Sequence, residues 1–429
     1  MDDTPRARRP TTLAAWLAYL ETLHPQSIAL GLDRVRAVHE RLNQVIACPV
    51  VTVTGTNGKG STCAMLESVL RSAGYRTGLY TSPHLLHYNE RVRISGQAIS
   101  NKELLAAFNA IEDARTVARP VTPLTYFEFG TLAALWLFAR TPLDALVLEV
   151  GLGGRLDAVN LIDADVAVLT SVALDHMEYL GGTRDLIGRE KAGIFRSKRP
   201  AVCAEPDLPA SVTEHAHAIG ARIVQIGRDY GFSNERTQWK YWGPGGERFG
   251  LPFPALRGAY QLANAATVLA ILDLLREVLP VSGGAIRDGL LTVELPARFQ
   301  VLPGRPTTVL DVAHNPHAAL TLASGLGAMG YYPETFAVWG MLGDKDLRGV
   351  AEAMRTRVDH WNIARVPGPR GADTAALRGA LIKAGIDDSV IHVFGDVGEA
   401  YRAAREFADM ADRIVVFGSF LTVAAALAA

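Results

Sequence analysis

The sequence predicts an α/β protein: a doubly wound, P-loop-containing domain followed by a smaller α/β unit. Three observations predict it. An apolar run at 50–54 leads directly into the glycine-rich turn Gly55-Thr-Asn-Gly-Lys-Gly-Ser61, and a helical pattern follows. Strand-like apolar runs and helical stretches then alternate, the pattern of a parallel sheet with helices on its faces. A second series of the same kind begins near Leu295-Pro296 and runs for about 135 residues, an ordinary domain size.

Taken in order, the first 45 residues read as helical and 50–54 as a buried strand. The helix after the glycine-rich turn begins near Ser61, continues over 63–73 and meets a natural C-terminal cap at Gly74. Residues 77–81 form a short strand ending in Ser82-Pro83-His84. An amphipathic helix over 102–117 and a strongly apolar one over 127–140 come next. Residues 144–150 are a buried strand that ends in the turn Gly151-Leu-Gly-Gly154, and 164–170 are another strand. Residues 228–257 change character: Gly, Pro and Trp accumulate between polar residues, which reads as short antiparallel strands or irregular loops. Helices resume over 260–278. In the second unit the strands are 307–311, 336–339 and 413–417, each followed by turn residues. The boundary falls between Thr292 and Arg298, giving domains of 1–295 and 296–429.

With 429 residues the chain exceeds one ordinary core. Apolar residues make up 49% and charged residues 20%, as in a soluble globular enzyme. A net charge of −1 supplies no field that would recruit nucleic acid or an acidic membrane. Cys48, Cys63 and Cys203 are far apart, so neither a disulfide framework nor a zinc site is supported, and a reduced, cytoplasmic setting fits. No uncharged run approaches the roughly 18–20 residues of a membrane span, and no signal-peptide pattern opens the chain.

The glycine-rich turn carries the clearest chemistry. Glycines at 55, 58 and 60 let backbone N–H groups converge without Cβ clashes, and converging N–H groups at a helix start bind anions. Lys59 adds a positive charge and Ser61 a hydroxyl suited to Mg²⁺. The spacing departs from G-x-x-x-x-G-K-[ST], because Gly60 stands between Lys59 and Ser61. Glu149 ends a strand at the sheet edge where ligands bind, so its carboxylate is placed to complete a Mg²⁺ shell. The alternative is a structural pairing with an arginine. Asp175-His176 follows the next strand at the same edge; a lone histidine there is more often structural than a ligand. Lys191, on a helix, reads by itself as a solvated lysine. In the second unit Asp311 ends a strand suited to ribose or adenine contacts, with His314-Asn315-Pro316-His317 as the next turn. Arg298, at the hinge, is placed either to reach a phosphate when the domains close or to form an interdomain ion pair.

These motifs occur in a family-specific order: GTNGKGS at 55–61, SPHL at 82–85, TYFEF at 125–129 and LEVGLGGRLDAVN at 148–160. LDHMEYLG at 174–181, REKAGIF at 189–195, NAAT at 264–267, ARFQ at 297–300, LDVAHNPHA at 310–318 and FGSF at 417–420 follow. From about residue 28 to about 424 the chain resembles the bacterial folylpolyglutamate synthases that are also dihydrofolate synthases, in the Mur ligase superfamily.

The resemblance implies a Rossmann-like second domain and an ATP-dependent acid–amino-acid ligase. ATP would phosphorylate a carboxylate of dihydropteroate or a reduced folate, and L-glutamate would displace the phosphate to form an amide. It assigns Thr56, Asn57, Gly58, Lys59, Gly60, Ser61, Asn264, Arg298 and Asp311 to ATP. Ser61, Ser82, Glu149 and His176 go to Mg²⁺, with two ions and a monovalent cation expected. Thr125, Tyr126, Phe127, Glu128, Leu156, Asp157 and Ala158 go to dihydropteroate, with Ile28 and Leu30 as walls of a second pterin pose. Lys59, Lys191 and His314 become catalytic, Lys191 as a carbamate. The expected partners are small molecules alone, with no nucleic acid and no membrane, and the expected state is a monomer.

Two positions depart from the family pattern, Ala297 where glycine is usual and Gly343. Two rivals remain at this point. A peptidoglycan-type Mur ligase would carry a dedicated UDP-binding domain, yet only about 48 residues precede the P-loop strand. A P-loop regulator that hydrolyses ATP without ligation would not need the second domain.

Overall fold

The computed structural model describes residues 9–26, 28–258 and 260–429. Eight strands build the first sheet: β1 (Val50–Thr54), β2 (Thr77–Tyr80), β3 (Val92–Ile94), β4 (Gln97–Ala98), β5 (Ala145–Glu149), β6 (Val166–Leu169), β7 (Pro200–Cys203) and β8 (Arg222–Gln225). Their order is β4-β3-β2-β5-β1-β6-β7-β8. From β2 to β8 all neighbours run parallel; β3 and β4 form an antiparallel edge. β1, β5 and β6 are buried along their whole length, as strands covered by helices on both faces must be.

The P-loop helix Lys59–Ser72 packs between this sheet and helices Tyr260–Leu275 and Gly283–Thr292. A Cβ on Gly289 would stand 2.5 Å from Val69 Cα, so the close helix–helix approach depends on that glycine. A small antiparallel sheet, β9 (Gly231–Asn234), β10 (Trp239–Gly243) and β11 (Gly246–Leu251), covers the outer side. Buried Tyr241 from it donates to Asp273 Oδ2 at 2.7 Å.

The second sheet holds β12 (Gln300–Leu302), β13 (Thr307–Leu310), β14 (Thr335–Trp339), β15 (His360–Ala364), β16 (Ile391–Phe394) and β17 (Arg413–Phe417), in the order β12-β13-β17-β14-β15-β16. Only β12 is antiparallel. The molecule is thus a two-domain α/β fold. The core of the first domain reaches Val293, and the buried residues of the second begin at Ala297.

Several expectations change. Among the described residues the region before β1 holds two separate helices, Leu13–Leu20 and Asp33–Leu42, and the described residues around Pro25 and Gly31 are a non-helical strap; the helical expectation for residues 1–8 and 27 lies outside the described residues. The strap lies along the first domain, where Gly31 N–H donates to Leu156 O at 3.3 Å. Strands β3, β4, β7, β8, β15 and β16 had no clear sequence signal. All lie at or near the sheet edges, most are only two to four residues long, and polar residues such as Arg93, Gln97 and His392 interrupt several of them. Residues 228–257 resolve into the antiparallel alternative.

Candidate active site in the interdomain cleft

The carboxyl ends of β1, β5 and β6 face the second domain across a cleft of about 290 Å³. Open α/β sheets bind ligands at this edge. The P-loop enters the cleft through Gly55, whose φ of +150° suits glycine and whose missing side chain leaves room for Thr170 Oγ1. Neighbouring strands then pin the loop. Thr56 N–H donates to Ser171 O at 2.8 Å and Asn57 N–H to Ser171 Oγ at 2.9 Å, while Thr170 Oγ1 donates to Asn57 O at 2.7 Å. Lys59 Nζ donates to Gly55 O at 3.0 Å and Thr56 O at 3.3 Å, so the ammonium stands over the loop. Ser61 Oγ accepts from Gln261 Nε2 at 3.3 Å. Asn264 lies against Gly58, at 3.0 Å from where a Cβ would be, and donates to Gln261 Oε1 at 2.9 Å.

Glu149 is buried beside Gly60, and its Oε2 accepts from Ser82 N–H at 3.1 Å. Burial raises its pKa, opposed by the charge of Lys59. Among the described residues no cation lies within ion-pair distance of this carboxylate. A buried carboxylate without a salt bridge suits a metal ion. No cluster of three His, Cys, Asp or Glu side chains forms a cage among the described residues. Ser61, Ser82, Glu149 and His176 all line this cleft, and their oxygen and imidazole donors are of a chemical type compatible with a divalent cation.

Asp175 is the meeting point of the two domains. Its Oδ1 accepts from Lys345 Nζ at 2.6 Å, its Oδ2 from Asn315 Nδ2 at 3.3 Å, and His314 Nε2 lies 3.5 Å away. Burial opposes its ionisation, but the hydrogen bond from His314 and the charges of His176, His314 and Lys345 hold it well below the usual carboxylate range. His176 is pushed down to about 4, chiefly by burial. Asn57 of the P-loop also reaches the second domain, bonding Asn315 at 3.1 Å and His317 at 2.9 Å. His314 Nδ1 lies 2.9 Å from Val312 O, which orients the ring and turns Nε2 to the cleft.

Lys191, on helix Arg184–Ala192, is buried and lines the cleft. Burial, then the charge of Lys59, lowers its pKa to about 7. The solvated-lysine reading is therefore corrected.

Arg298 stands between two non-glycine residues in the left-handed region, Ala297 at φ +60° and Phe299 at φ +46°. Such strain is held by surrounding bonds. Val312 N–H donates to Ala297 O at 3.1 Å, and Phe299 N–H to Asp311 Oδ2 at 2.8 Å. The guanidinium lies 4.8 Å over the Phe420 ring and near Gly60. Asp311 is buried; its other oxygen accepts from Ala313 N–H at 2.7 Å, so it ties the backbone at Phe299 to the turn after β13. The departure at Ala297 thus falls on a backbone position that favours glycine. At Gly343 a Cβ would meet only ordinary contacts, so that departure is sterically neutral.

Thr125 and Glu128 form the N-terminal capping box of helix Tyr126–Phe138. Glu128 Oε1 also takes Arg34 at 2.8 Å. Both are buried and committed to the cap, which leaves Tyr126 and Phe127 half-buried. The Phe127 ring packs against Gly151, which joins it to the cleft. Asp157 is buried, its pKa pushed up by burial to about 6, and accepts from Leu152 and Val159 N–H at 2.9 Å. Leu156 and Ala158 flank it beside the strap that carries Ile28 and Leu30.

Sequence reasoning missed Lys345 and Gln261. Lys345 follows β14 at the carboxyl edge of the second sheet, and that position was its one available signal.

A P-loop domain whose cleft is closed by a second α/β domain bearing Arg298, His314 and Lys345 defines a class, the ATP-dependent ligases. The Mur ligase middle domain matches residues 53–272 and the Mur ligase, glutamate ligase domain matches 297–420. The dihydrofolate synthase/folylpolyglutamate synthase of Escherichia coli (strain K12) is 46% identical over 98% of this chain and 96% of that protein. The structure of E. coli FolC in complex with DHPP and ADP superposes with a TM-score of 0.91 at 46% identity, covering 97% of each chain. A bifunctional folylpolyglutamate synthase/dihydrofolate synthase with Mn, AMPPNP and L-glutamate bound gives 0.89 at 47% identity, over 97% of this chain and 98% of that one. The chain belongs to the bacterial dihydrofolate synthase/folylpolyglutamate synthase family of Mur ligases. Among the described residues no helix is long and apolar enough to cross a membrane.

Proposed function

We propose that this enzyme adds L-glutamate both to 7,8-dihydropteroate, forming dihydrofolate, and to reduced folates, lengthening their glutamate tail. The observation that carries the reading is the single cleft in which the P-loop, Glu149, Lys191 and the second-domain residues Arg298 and His314 converge. A carboxylate is a poor electrophile until one oxygen becomes a leaving group. The P-loop N–H groups and Lys59 hold the ATP phosphates; a substrate carboxylate oxygen attacks the γ-phosphorus, the bond to the bridging oxygen breaks, ADP leaves and an acyl phosphate remains. Arg298 approaches from the hinge and offsets charge on the phosphates. The glutamate amine then attacks the acyl carbon, phosphate leaves, and the amide forms. Positioning and charge neutralisation provide the catalysis. Asn264 and Asp311 hold the nucleotide side of the cleft, and His314 faces the phosphoryl side.

Ser61, Ser82, Glu149 and His176 would hold divalent cations, two Mg²⁺ in this reading, which neutralise the phosphates; a monovalent cation joins the set. The enzyme acts as a monomer in the cytoplasm, with 1–295 and 296–429 as its domains. The direct test is mass spectrometry of products from ATP, L-glutamate and either dihydropteroate or a reduced folate. One added glutamyl unit on each acceptor is expected; no ligated product from either would overturn the reading.

Lys191 is carbamylated in this reading. Capture of CO₂ needs a neutral amine, and burial supplies one near neutral pH. Bicarbonate-stripped enzyme should therefore regain activity faster at pH 8 than at pH 6. Lys191→Ala should be inactive and partly rescued by a short carboxylic acid, and failure of both would remove the carbamate.

Thr125, Tyr126, Phe127 and Glu128, with Leu156, Asp157 and Ala158, form the dihydropteroate segment, in which Phe127 stacks on the pterin and the capping box fixes the helix start. Dihydropteroate is shorter than a folate by one glutamate, yet both must present a carboxylate to one γ-phosphate. Two overlapping pterin poses follow, with Ile28 and Leu30 walling one. Phe127→Ala should lower kcat/KM for dihydropteroate more than for the folate. Equal loss on both would leave a single pose.

A further inference from the structure

Lys345 reaches out of the second domain into the metal side of the cleft. Its backbone is fixed: its N–H donates to Leu342 O at 3.2 Å, its O accepts from Leu347 N–H at 2.9 Å, and Asp346 caps helix Leu347–Met354. The side chain is 7% exposed. Its Nζ lies 2.6 Å from Asp175 Oδ1 and 3.2 Å from His176 Nε2.

An ammonium has three donors and no acceptor, so the second contact needs a lone pair on Nε2. A neutral imidazole has one lone pair and one N–H. With Lys345 donating to Nε2, the proton sits on Nδ1, and neither nitrogen is free to ligate. A dication on the same ring would also stand beside a buried ammonium.

We propose that Lys345 and the divalent cation compete for His176, so that Lys345 is a positioning residue that stands in for the metal and must leave His176 when the metal binds. The inference rests on His176 being a metal ligand, as proposed above. Asp175 keeps its bond to Lys345 in either state, so the displacement is a short swing about an intact interdomain ion pair. A purely structural ion pair would stabilise the domain contact without touching metal affinity.

Binding of Mn²⁺ alone, followed by electron paramagnetic resonance, separates the two. Lys345→Met should bind Mn²⁺ about tenfold more tightly than the wild type, the size expected for losing one charge-assisted hydrogen bond. Adding His176→Ala should abolish that gain. Equal or weaker binding by folded Lys345→Met overturns the competition. Should that variant fail to fold, ¹⁵N-histidine spectra of the wild type decide. Metal-free enzyme should carry the His176 proton on Nδ1, and Mg²⁺ should change the pattern; a proton on Nε2 overturns the proposal. If His176→Ala alone binds Mn²⁺ like the wild type, the ligand assignment of His176 falls and takes the competition with it. Weakened binding in His176→Ala without a gain in Lys345→Met sinks the competition alone.

Discussion

Lys59→Ala should reduce turnover by at least about a hundredfold while the protein stays folded, by comparison with removing one preorganised charge stabiliser from a catalytic site. Two effects combine. The ammonium supplies a positive charge where phosphate charge develops, in a cleft where such interactions are stronger than in water. It also ties Gly55 O and Thr56 O together, so its loss frees two loop carbonyls. The fold should survive, because the loop is separately pinned by Thr170 and Ser171 and the helix behind it is buried. Single-turnover kinetics with a folding check by circular dichroism measure this. Turnover near wild type would remove the phosphate role of the P-loop.

Glu149→Gln should raise the Mg²⁺ concentration needed for half-maximal activity by at least about tenfold, since substitutions even in the groups behind metal ligands cost that much. The carboxylate is buried, without a salt bridge among the described residues, and held in place by Ser82 N–H. A neutral amide keeps the shape and the Ser82 bond but binds a hard cation less well. Burial also raises the pKa of Glu149, so metal affinity in the wild type should fall as pH drops toward that raised value, because the proton and the metal compete. The amide introduced by Glu149→Gln does not titrate, so the variant should lose this pH dependence. A Mg²⁺ titration of the variant that overlays the parent would take Glu149 out of the metal site.

The local features were legible because consecutive residues encode them. Val50 to Ser61 specifies a buried strand, a glycine turn and a helix start by chemistry alone, and the strand ends at Glu149 and Asp311 follow from the same alternation. Phe127 entered only through the ordered motifs, and the structure sets its ring against Gly151 at the edge of the cleft. The commitment of Thr125 and Glu128 to each other and to Arg34 was not legible, although the S/T-x-x-E capping spacing was present in the sequence. The edge strands were lost for a physical reason. A strand paired on one side and half-solvated carries mixed residues, so β4 or β16 leaves little apolar pattern to read.

By itself the sequence determined the order of elements around the phosphate loop and, through the ordered motifs, the family. Tertiary structure alone decided which polar groups meet and which become buried. Lys191 lies in a charged segment that suits a solvated helix, and only packing removes its ammonium from water and lowers its pKa. Asp175 and Lys345 are 170 positions apart, each an ordinary polar residue in its own loop. Their pairing exists because two parallel sheets present their carboxyl edges to one cleft, and no local pattern encodes the distance between groups on separate domains.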